Sequence, residues 1–496
     1  MSQLKVYNSL TRQKEEFVSL TPGHVGMYVC GPTVSGESHL GHARPYITFD
    51  VVYRYLTYLG YKVRYVRNIT DAGHFEEEGR EAEDKISKKA VLEKLEPMEL
   101  VQKYTNLFHW AMGKFNNIPP SIEPTATGHI VEQIGMIEQI LEAGYAYVSN
   151  GSVYFDVKKY AASHDYGKLS GRVIDELLET TRELDGQEEK RDTADFALWK
   201  NAAPEHIMRW KSPWGIGFPG WHIECSAMAT KYLGAQFDIH GGGMDLQFPH
   251  HESEIAQSTI CNHVAPVRYW MHNNMITING RKMGKSYNNV IKLTELFSGD
   301  HPLLAKAFHP MVIRFFILQT QYRSTLDFSN EALLAAEKGL KRLWDAYEKL
   351  GALSYSGTPA VDAELDQKVN QLLAEMEESI NDDFNTAKVL AALFELVPVI
   401  NSLKDQLIPS GALQAETFAR LQQQLKIYVE DILGLQAVSE AENEKLQGVM
   451  QLLIDIRKEA RGRKDFVTSD KIRNQLTSLG ISLKDEKGGE MSWSID

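Results

Sequence analysis

Hydrophobic residues change their spacing along the chain, and each spacing predicts a different kind of element. Residues 26–30 form a short apolar run closed by Gly31 and Pro32, the pattern of a buried parallel strand. From 41 to 59 the apolar residues fall at helical spacing, and Gly60 suits the end of that helix. Residues 62–69 read as a second strand. Strand, helix and strand in this order make a βαβ unit, which predicts a parallel sheet with ligands at the carboxyl ends of its strands. Residues 72–83 are glutamate-rich and predict a solvated loop or helix face. The stretch 92–200 reads as a largely helical, weakly patterned insertion. Residues 237–240, followed by Gly241, Gly242 and Gly243, restore the strand-then-glycine pattern, so the sheet resumes there. Residues 269–278 add a strand-like stretch ahead of the turn pair Asn279-Gly280.

Beyond residue 290 the spacing becomes that of amphipathic helices, over 331–350 and 364–433, and predicts a helical bundle. Pro409 and Gly411 should break the second stretch, residues 381–386 offer capping side chains, and 449–479 is helical again. The fold class is therefore α/β: a Rossmann-type parallel-sheet domain split by an insertion, then an α-helical bundle and a small C-terminal domain. At 496 residues several domains are expected. No apolar run approaches the roughly 18 residues of a membrane span, and the amino terminus carries no basic-then-apolar leader. Three cysteines, an odd number, argue against a disulfide framework and for a reducing, cytoplasmic setting. With a net charge of −13, any nucleic-acid partner has to be met by local basic surface.

Three groups of residues carry candidate chemistry. His250 and Glu254, spaced i and i+4 in a stretch that reads as helix, share one face. With Cys30 and Cys225 they form a candidate tetrahedral zinc set, the alternative being that the cysteines are buried small residues. His39-Leu40-Gly41-His42 falls at the amino terminus of the first predicted helix, where free N–H groups favour anions; a satisfied surface histidine pair is the other reading. Lys282-Met283-Gly284-Lys285-Ser286 either closes over a triphosphate or is a solvated basic loop.

The histidine and lysine motifs, in this order and each after a strand, resemble the class I aminoacyl-tRNA synthetases, whose signatures are H-I-G-H and K-M-S-K-S. The runs Y-V-C-G-P-T-V at 28–34, R-N-I-T-D at 67–71, G-W-H-I-E-C-S-A-M at 220–228, H-G-G-G at 240–243, F-P-H-H-E at 248–252 and E-I-A-Q at 254–257 narrow the likeness to the cysteinyl-tRNA synthetases. The resemblance implies one zinc per chain held by Cys30, Cys225, His250 and Glu254, and a substrate L-cysteine whose thiolate meets that zinc. His251 adjoins a ligand but is expected to point elsewhere on the helix. Thr70 and Trp221 are implied to line the amino-acid pocket. Gly41, Gly241, Gly242, Asp245 and Lys285 are implied to hold ATP, with magnesium, and His39, His42, Lys282 and Lys285 to stabilise the reacting phosphates.

The family pattern divides the chain into 1–91 and 201–290 as the two halves of the catalytic domain and 92–200 as the insertion, structural or acceptor-stem-contacting rather than editing. It makes 291–350 a stem-contact region, 351–440 a tRNA-binding bundle and 441–496 an anticodon-binding domain. In that last part Arg457, Lys458, Arg461, Arg463 and Lys464 form a basic cluster, Phe466 is placed to stack on a base, and Asp470 and Asp485 to accept from base edges. A solvated helix face is the alternative there. The implied partner is tRNA(Cys), the implied state a monomer free of membrane. The family serine is Gly284 here, so a looser lysine loop is expected. Two neighbouring activities fit part of the pattern: a ligase joining cysteine to a small amine, and a catalytically silent sensor of cysteine or tRNA.

Overall fold

The apolar strand runs assemble as the βαβ pattern predicts. In the structure, a computed structural model, residues 3–72, 86, 90, 95–172, 189–204, 206–355, 361–438, 440–478, 481–485 and 491–495 are described. A hairpin of β1 (Lys5–Asn8) and β2 (Gln13–Glu16) precedes β3 (His24–Val29). Helix α1 (Leu40–Tyr58) then crosses over to β4 (Lys62–Arg67), which lies parallel to β3. β10 (Phe237–Gly243) and β11 (Val267–Asn273) complete a four-stranded parallel sheet of order β11-β10-β3-β4. The chain moves outward in opposite directions from β3 and from β10, so their carboxyl ends open a crevice, the usual ligand position in such sheets. α1 is buried nearly all round, which explains a weakly amphipathic sequence that includes Arg44 and Asp50 among its buried residues. The glutamate-rich segment and the glycines at 488–489 fall almost wholly outside the described residues.

The insertion differs from the helical expectation. After helices Pro97–Lys114 and Ile130–Glu142 it forms a five-stranded antiparallel sheet, order β5-β6-β7-β9-β8. Its strands are β5 (Ala146–Ser149), β6 (Ser152–Phe155), β7 (Phe196–Asn201), β8 (Trp210–Ser212) and β9 (Gly215–Pro219), so the sheet runs past residue 200 to the edge of the resumed domain. Strands of three to six residues are too short to show a period. Their one local signal is Asn150-Gly151, both at positive φ (48° and 81°), the pair a tight hairpin favours. Phe155 stacks on Phe196 at 4.9 Å in the core of this layer.

Beyond β11 the parallel pair β12 (Ile276–Ile278) and β14 (Leu326–Phe328), with β13 (Arg281–Lys282) on the far edge of β12, leads into the bundle. The bundle helices are Asn330–Ala352, Ala363–Asn381, Thr386–Lys404 and Ala415–Lys426. The break at Pro409 and Gly411 is present, and Asn385 caps the third of these helices. A further break falls at Asp383 and Phe384, both in the left-handed region. Thr386–Lys404 is 19 residues long and apolar enough to span a membrane by length and composition, which the sequence reading did not foresee. More than half of it is buried among its neighbours, the pattern of a core helix. Helices Glu440–Gly462 and Phe466–Ser478 and the hairpin of β15 (Ile481–Asp485) and β16 (Met491–Ile495) end the chain.

One buried ion pair joins these parts. Arg314, fully buried, donates to Asp50 of α1, to the carbonyls of Phe115 and Leu433, and to Asn117 Oδ1. Asp50 also accepts from Arg54 Nε at 2.7 Å and from the Ile118 N–H at 2.7 Å. Asp50→Ala removes the counter-charge from a buried guanidinium and should cost about 3–5 kcal/mol, read as a shift of the urea unfolding curve. A loss under about 1 kcal/mol would mean that the carbonyls alone carry Arg314.

Candidate active site and metal centre

Cys30 follows β3 directly, and its N–H donates to Gly241 O at 3.1 Å, fixing it in the crevice. Cys225 stands on helix Trp221–Leu233, and His250 and Glu254 flank the start of helix Glu252–Asn262. The donor atoms of Cys30, Cys225, His250 and Glu254 all lie within 4.8 Å of one another and are buried. Burial pushes the Cys30 thiol up to about 11, and burial together with Cys30 raises Cys225 well above the thiol range. Burial lifts the Glu254 carboxyl, and burial with the imidazoles of His222 and His240 keeps His250 neutral. Glu254 Oε1 accepts no hydrogen bond among the described residues, although His250 Nε2 is 3.2 Å away. Two soft thiols, a neutral imidazole and an orphaned carboxylate oxygen are a donor set that fits a Zn²⁺ ion.

His251 departs from its expected place. The turn Gln247–His251 that leads into the helix contains Phe248 in extended conformation (φ −140°, ψ 134°), so regular helical spacing does not hold across it. The His251 ring turns inward, with Nε2 3.2 Å from Cys30 Sγ, and Cys30, His240, His251 and Glu254 form a second cluster within 4.8 Å. Behind the candidate ligands runs a layer of imidazoles that sequence reading assigned no role. His222 Nδ1 lies 3.0 Å from His250 Nδ1, His240 Nε2 2.9 Å from Glu254, and His272 Nε2 2.8 Å from His251 Nδ1. His222 and His240 fall inside recognisable motifs; His272, beside no motif, has no sequence signal. The Trp221 ring is 4.4 Å from that of His250. Thr70 donates to Glu224 at 2.5 Å and accepts from Asn68; Glu224, whose Oε2 has no partner among the described residues, was also missed.

The histidine pair caps α1 reciprocally. The Gly41 N–H donates to His39 Nδ1 at 3.2 Å and the His39 N–H to His42 Nδ1 at 3.0 Å, with ring centroids 3.9 Å apart. Accepting at Nδ1 assigns the proton to Nε2 in each neutral ring. His42 is held neutral, its pKa lowered to about 3 by burial and then by His39. A Cβ on Gly41 would lie 2.7 Å from the Met283 methyl, so the lysine loop rests on that glycine. Gly241 faces the Phe49 ring, 2.3 Å from where its Cβ would stand, so its lack of a side chain is already used by packing. A Cβ on Gly242 would meet Leu246 at 2.8 Å, and Asp245 is exposed in the turn after β10.

Lys282 is exposed at the end of β13; the Lys285 side chain is outside what the structure describes. A side-chain latch spans the loop. The Gly284 N–H donates to Asn289 Oδ1 at 2.8 Å and Asn289 Nδ2 to Lys282 O at 3.1 Å, a latch sequence reading did not anticipate. Gly284 has no positive φ, and a Cβ there would meet the Tyr287 ring at an ordinary 3.4 Å. Both feet of the loop are tied to α1. Buried Arg44 donates to the carbonyls of Asn274 (3.0 Å), Met275 (2.7 Å), Gln321 (3.4 Å) and Ser324 at the starts of β12 and β14. On the exit side the Leu40 N–H donates to Ile291 O at 2.9 Å and the Leu293 N–H to Ser38 O at 2.8 Å.

In the tail, Phe466 is 61% exposed at the start of its helix, Arg461 is half-buried, and Asp470 pairs with Arg473 at 3.2 Å. Asp485 ends β15, with its side chain outside the description. Arg457 is buried, so it does not belong to the surface basic cluster.

Comparison with known proteins adds what geometry leaves open. Residues 16–338 match the family described as tRNA synthetases class I (C) catalytic domain, and 375–437 match the DALR domain. The chain is 57% identical to a cysteine–tRNA ligase of Bacteroides thetaiotaomicron, over 100% of this chain and 99% of that one. It is equally similar, at 57% over the same shares, to one of Bacteroides fragilis. Among solved structures, methionyl-tRNA synthetase of Mycobacterium tuberculosis with methionyl-adenylate shares the fold at 13% identity. Its TM-score is 0.51, with 82% of this chain and 89% of that one covered.

The latch can be tested by limited trypsin digestion at the lysine loop. Asn289→Ala should speed cleavage after Lys282 several-fold, because loop opening limits attack. Gly284→Ser should leave the rate within about twofold; a rate that rises as much as for Asn289→Ala would show that glycine is required.

Proposed function

The chain belongs to the class I aminoacyl-tRNA synthetases, within them to the cysteine–tRNA ligases, and from that premise we propose that its buried thiol–imidazole–carboxylate cluster is a zinc site that selects the substrate. The protein activates L-cysteine with ATP, releasing pyrophosphate, and transfers the cysteinyl group to the terminal adenosine of tRNA. The match covers the bundle and tail as well as the catalytic half, so neither a small-amine ligase nor a silent sensor describes it.

Cys30, Cys225, His250 and Glu254 are the four protein ligands, and their mutual approach within 4.8 Å carries the proposal. When bound, zinc supplies a Lewis acid that holds the cysteine sulfur as thiolate, a bond the harder and far less acidic serine hydroxyl makes poorly. Trp221, whose ring lies against His250, walls the side chain, and Thr70, bonded to Glu224, lines the same amino-acid pocket. His39 and His42, neutral and protonated at Nε2, donate to the α-phosphate oxygens as charge builds there. Lys282 and Lys285 neutralise the leaving pyrophosphate, a charge that magnesium carried in with ATP would share. Gly41, Gly242 and Asp245 hold the nucleotide, Gly241 shaping the floor by admitting Phe49. No side chain acts as nucleophile; orientation and charge complementarity drive the step. On the tRNA side, Arg461, Phe466, Asp470 and Asp485 read the anticodon arm. The enzyme works as a cytoplasmic monomer.

Loss of an outer-shell partner typically costs a metal site 10–100-fold, so Cys225→Ser should cut cysteine-dependent ATP–pyrophosphate exchange more than about 100-fold and lower bound zinc. Normal exchange by a metal-free variant would defeat the reading. Ending the chain near residue 440 should leave exchange intact and impair tRNA charging; unchanged charging would remove the tail from tRNA recognition.

A further inference from the structure

Helix Trp221–Leu233 carries Trp221, Glu224 and Cys225 at helical offsets of three and four residues, so the three share one face. Cys225 is a proposed metal ligand and Trp221 a wall of the pocket, yet Glu224 between them has no part assigned. Its place in the first turn suits the helix dipole, which does not account for its surroundings. Glu224 is 1% exposed, and the charged groups nearest to it are other carboxyls, those of Asp71 and Glu254. Its Oε1 accepts from the Thr70 hydroxyl at 2.5 Å, while its Oε2 is buried with no hydrogen-bond partner among the described residues. Asp71, the residue after Thr70, is by contrast satisfied, since both the N–H and the hydroxyl of Thr127 donate to it.

The backbone sets the direction of every bond in this network. The Gly31 N–H can only donate, and it meets Asn68 Oδ1 at 2.8 Å. The amide nitrogen of Asn68 therefore faces Thr70 and donates to its Oγ1 at 3.0 Å. The single hydroxyl proton of Thr70 is then committed to Glu224, and the lone pair left on Oγ1 can only accept. A carboxylate with no cation of its own, placed behind that hydroxyl, strengthens it as a partner for positive charge. Asn68 Oδ1 also lies 3.8 Å from Cys225 Sγ, so the network reaches the proposed metal ligands.

We infer that Glu224 is a positioning residue that makes Thr70 an acceptor for the α-ammonium of the substrate amino acid and supplies the countercharge behind it. The inference rests on the cysteine-activating reading and adds how the site tells an amino acid from another small thiol. In cysteine only Cα and Cβ separate the nitrogen from the sulfur, so the groups that meet the ammonium have to stand beside those that meet the sulfur. Glu224 directly precedes Cys225, and Asn68 touches both Thr70 and Cys225. A buried acid is stabilised by a cation, and here the substrate brings it.

The test compares cysteine with 3-mercaptopropionate, which keeps the thiol and the carboxyl and lacks the ammonium. In the full-length enzyme, Glu224→Gln keeps the size and the Thr70 bond but removes the charge. Its KM for cysteine in ATP–pyrophosphate exchange should rise about tenfold or more, with kcat changed far less. Inhibition by 3-mercaptopropionate and the bound zinc should be unchanged. Thr70→Val should show the same selective loss, and joined to Glu224→Gln should add little to it, because both remove one contact. Thr70→Ser, which keeps the hydroxyl, should retain the cysteine KM. An unchanged cysteine KM in Glu224→Gln, or equal losses for the two compounds, would overturn the inference. If Glu224→Gln does not fold, Thr70→Val decides in the same way, since a loss shared by both compounds is structural. Absence of cysteine-dependent exchange in the unaltered enzyme would instead overturn the activity on which the inference rests.

Discussion

A charge can be buried only if the fold surrounds it with partners, and α1 carries two such charges, Arg44 and Asp50. Between them they dictate how the molecule is joined. Arg44 has no carboxylate partner among the described residues and is held by carbonyl oxygens, and burial lowers its pKa to about 10. Those carbonyls start the two strands that support the lysine loop, so the loop is placed by the helix whose first turn holds His39 and His42. Asp50 draws in Arg314 and, through it, the backbone at Leu433, the last turn of the bundle. One helix thus fixes the distance from its histidine pair to the lysine loop at one end and to the helical bundle at the other.

The buried thiol–imidazole–carboxylate cluster obeys the same rule in a different way. Its members are buried without fixed charge, and each is pushed toward its neutral form by that burial. His222 and His272 meet the rings of His250 and His251 from behind, and His240, itself in the second cluster, meets Glu254. Such outer partners fix ring orientation and tautomer, which a metal site requires as much as its ligands.

The parts of this site that were legible in sequence are those carried by local periodicity. His250 and Glu254 sit one turn apart, and the sheet strands are apolar runs of ordinary length. His251 was misjudged because its inward contacts, Cys30 after β3 and His272 of β11, come from distant segments that local periodicity does not show. The insertion's sheet was missed because its strands are shorter than the window in which alternation can be seen. Arg44 could not be read at all: its partners are backbone carbonyls 230–280 residues away, and a carbonyl belongs to every residue type alike. Asn289 was hidden for a related reason, since its latch depends on a loop path that Gly284 by itself does not disclose.

The order of the strands has a consequence for biosynthesis. β3 ends beside Cys30, yet its partner β10 and the donors Cys225, His250 and Glu254 come some two hundred residues later. At about 5–20 residues per second on a ribosome, Cys30 waits roughly 10–45 seconds before its companions exist. Throughout that interval it is an exposed, unpaired thiol on a strand with an open edge. The protein therefore emerges with these four donors apart, and they can meet only after β11 has been made, a little past the middle of synthesis, when the second half of the sheet docks.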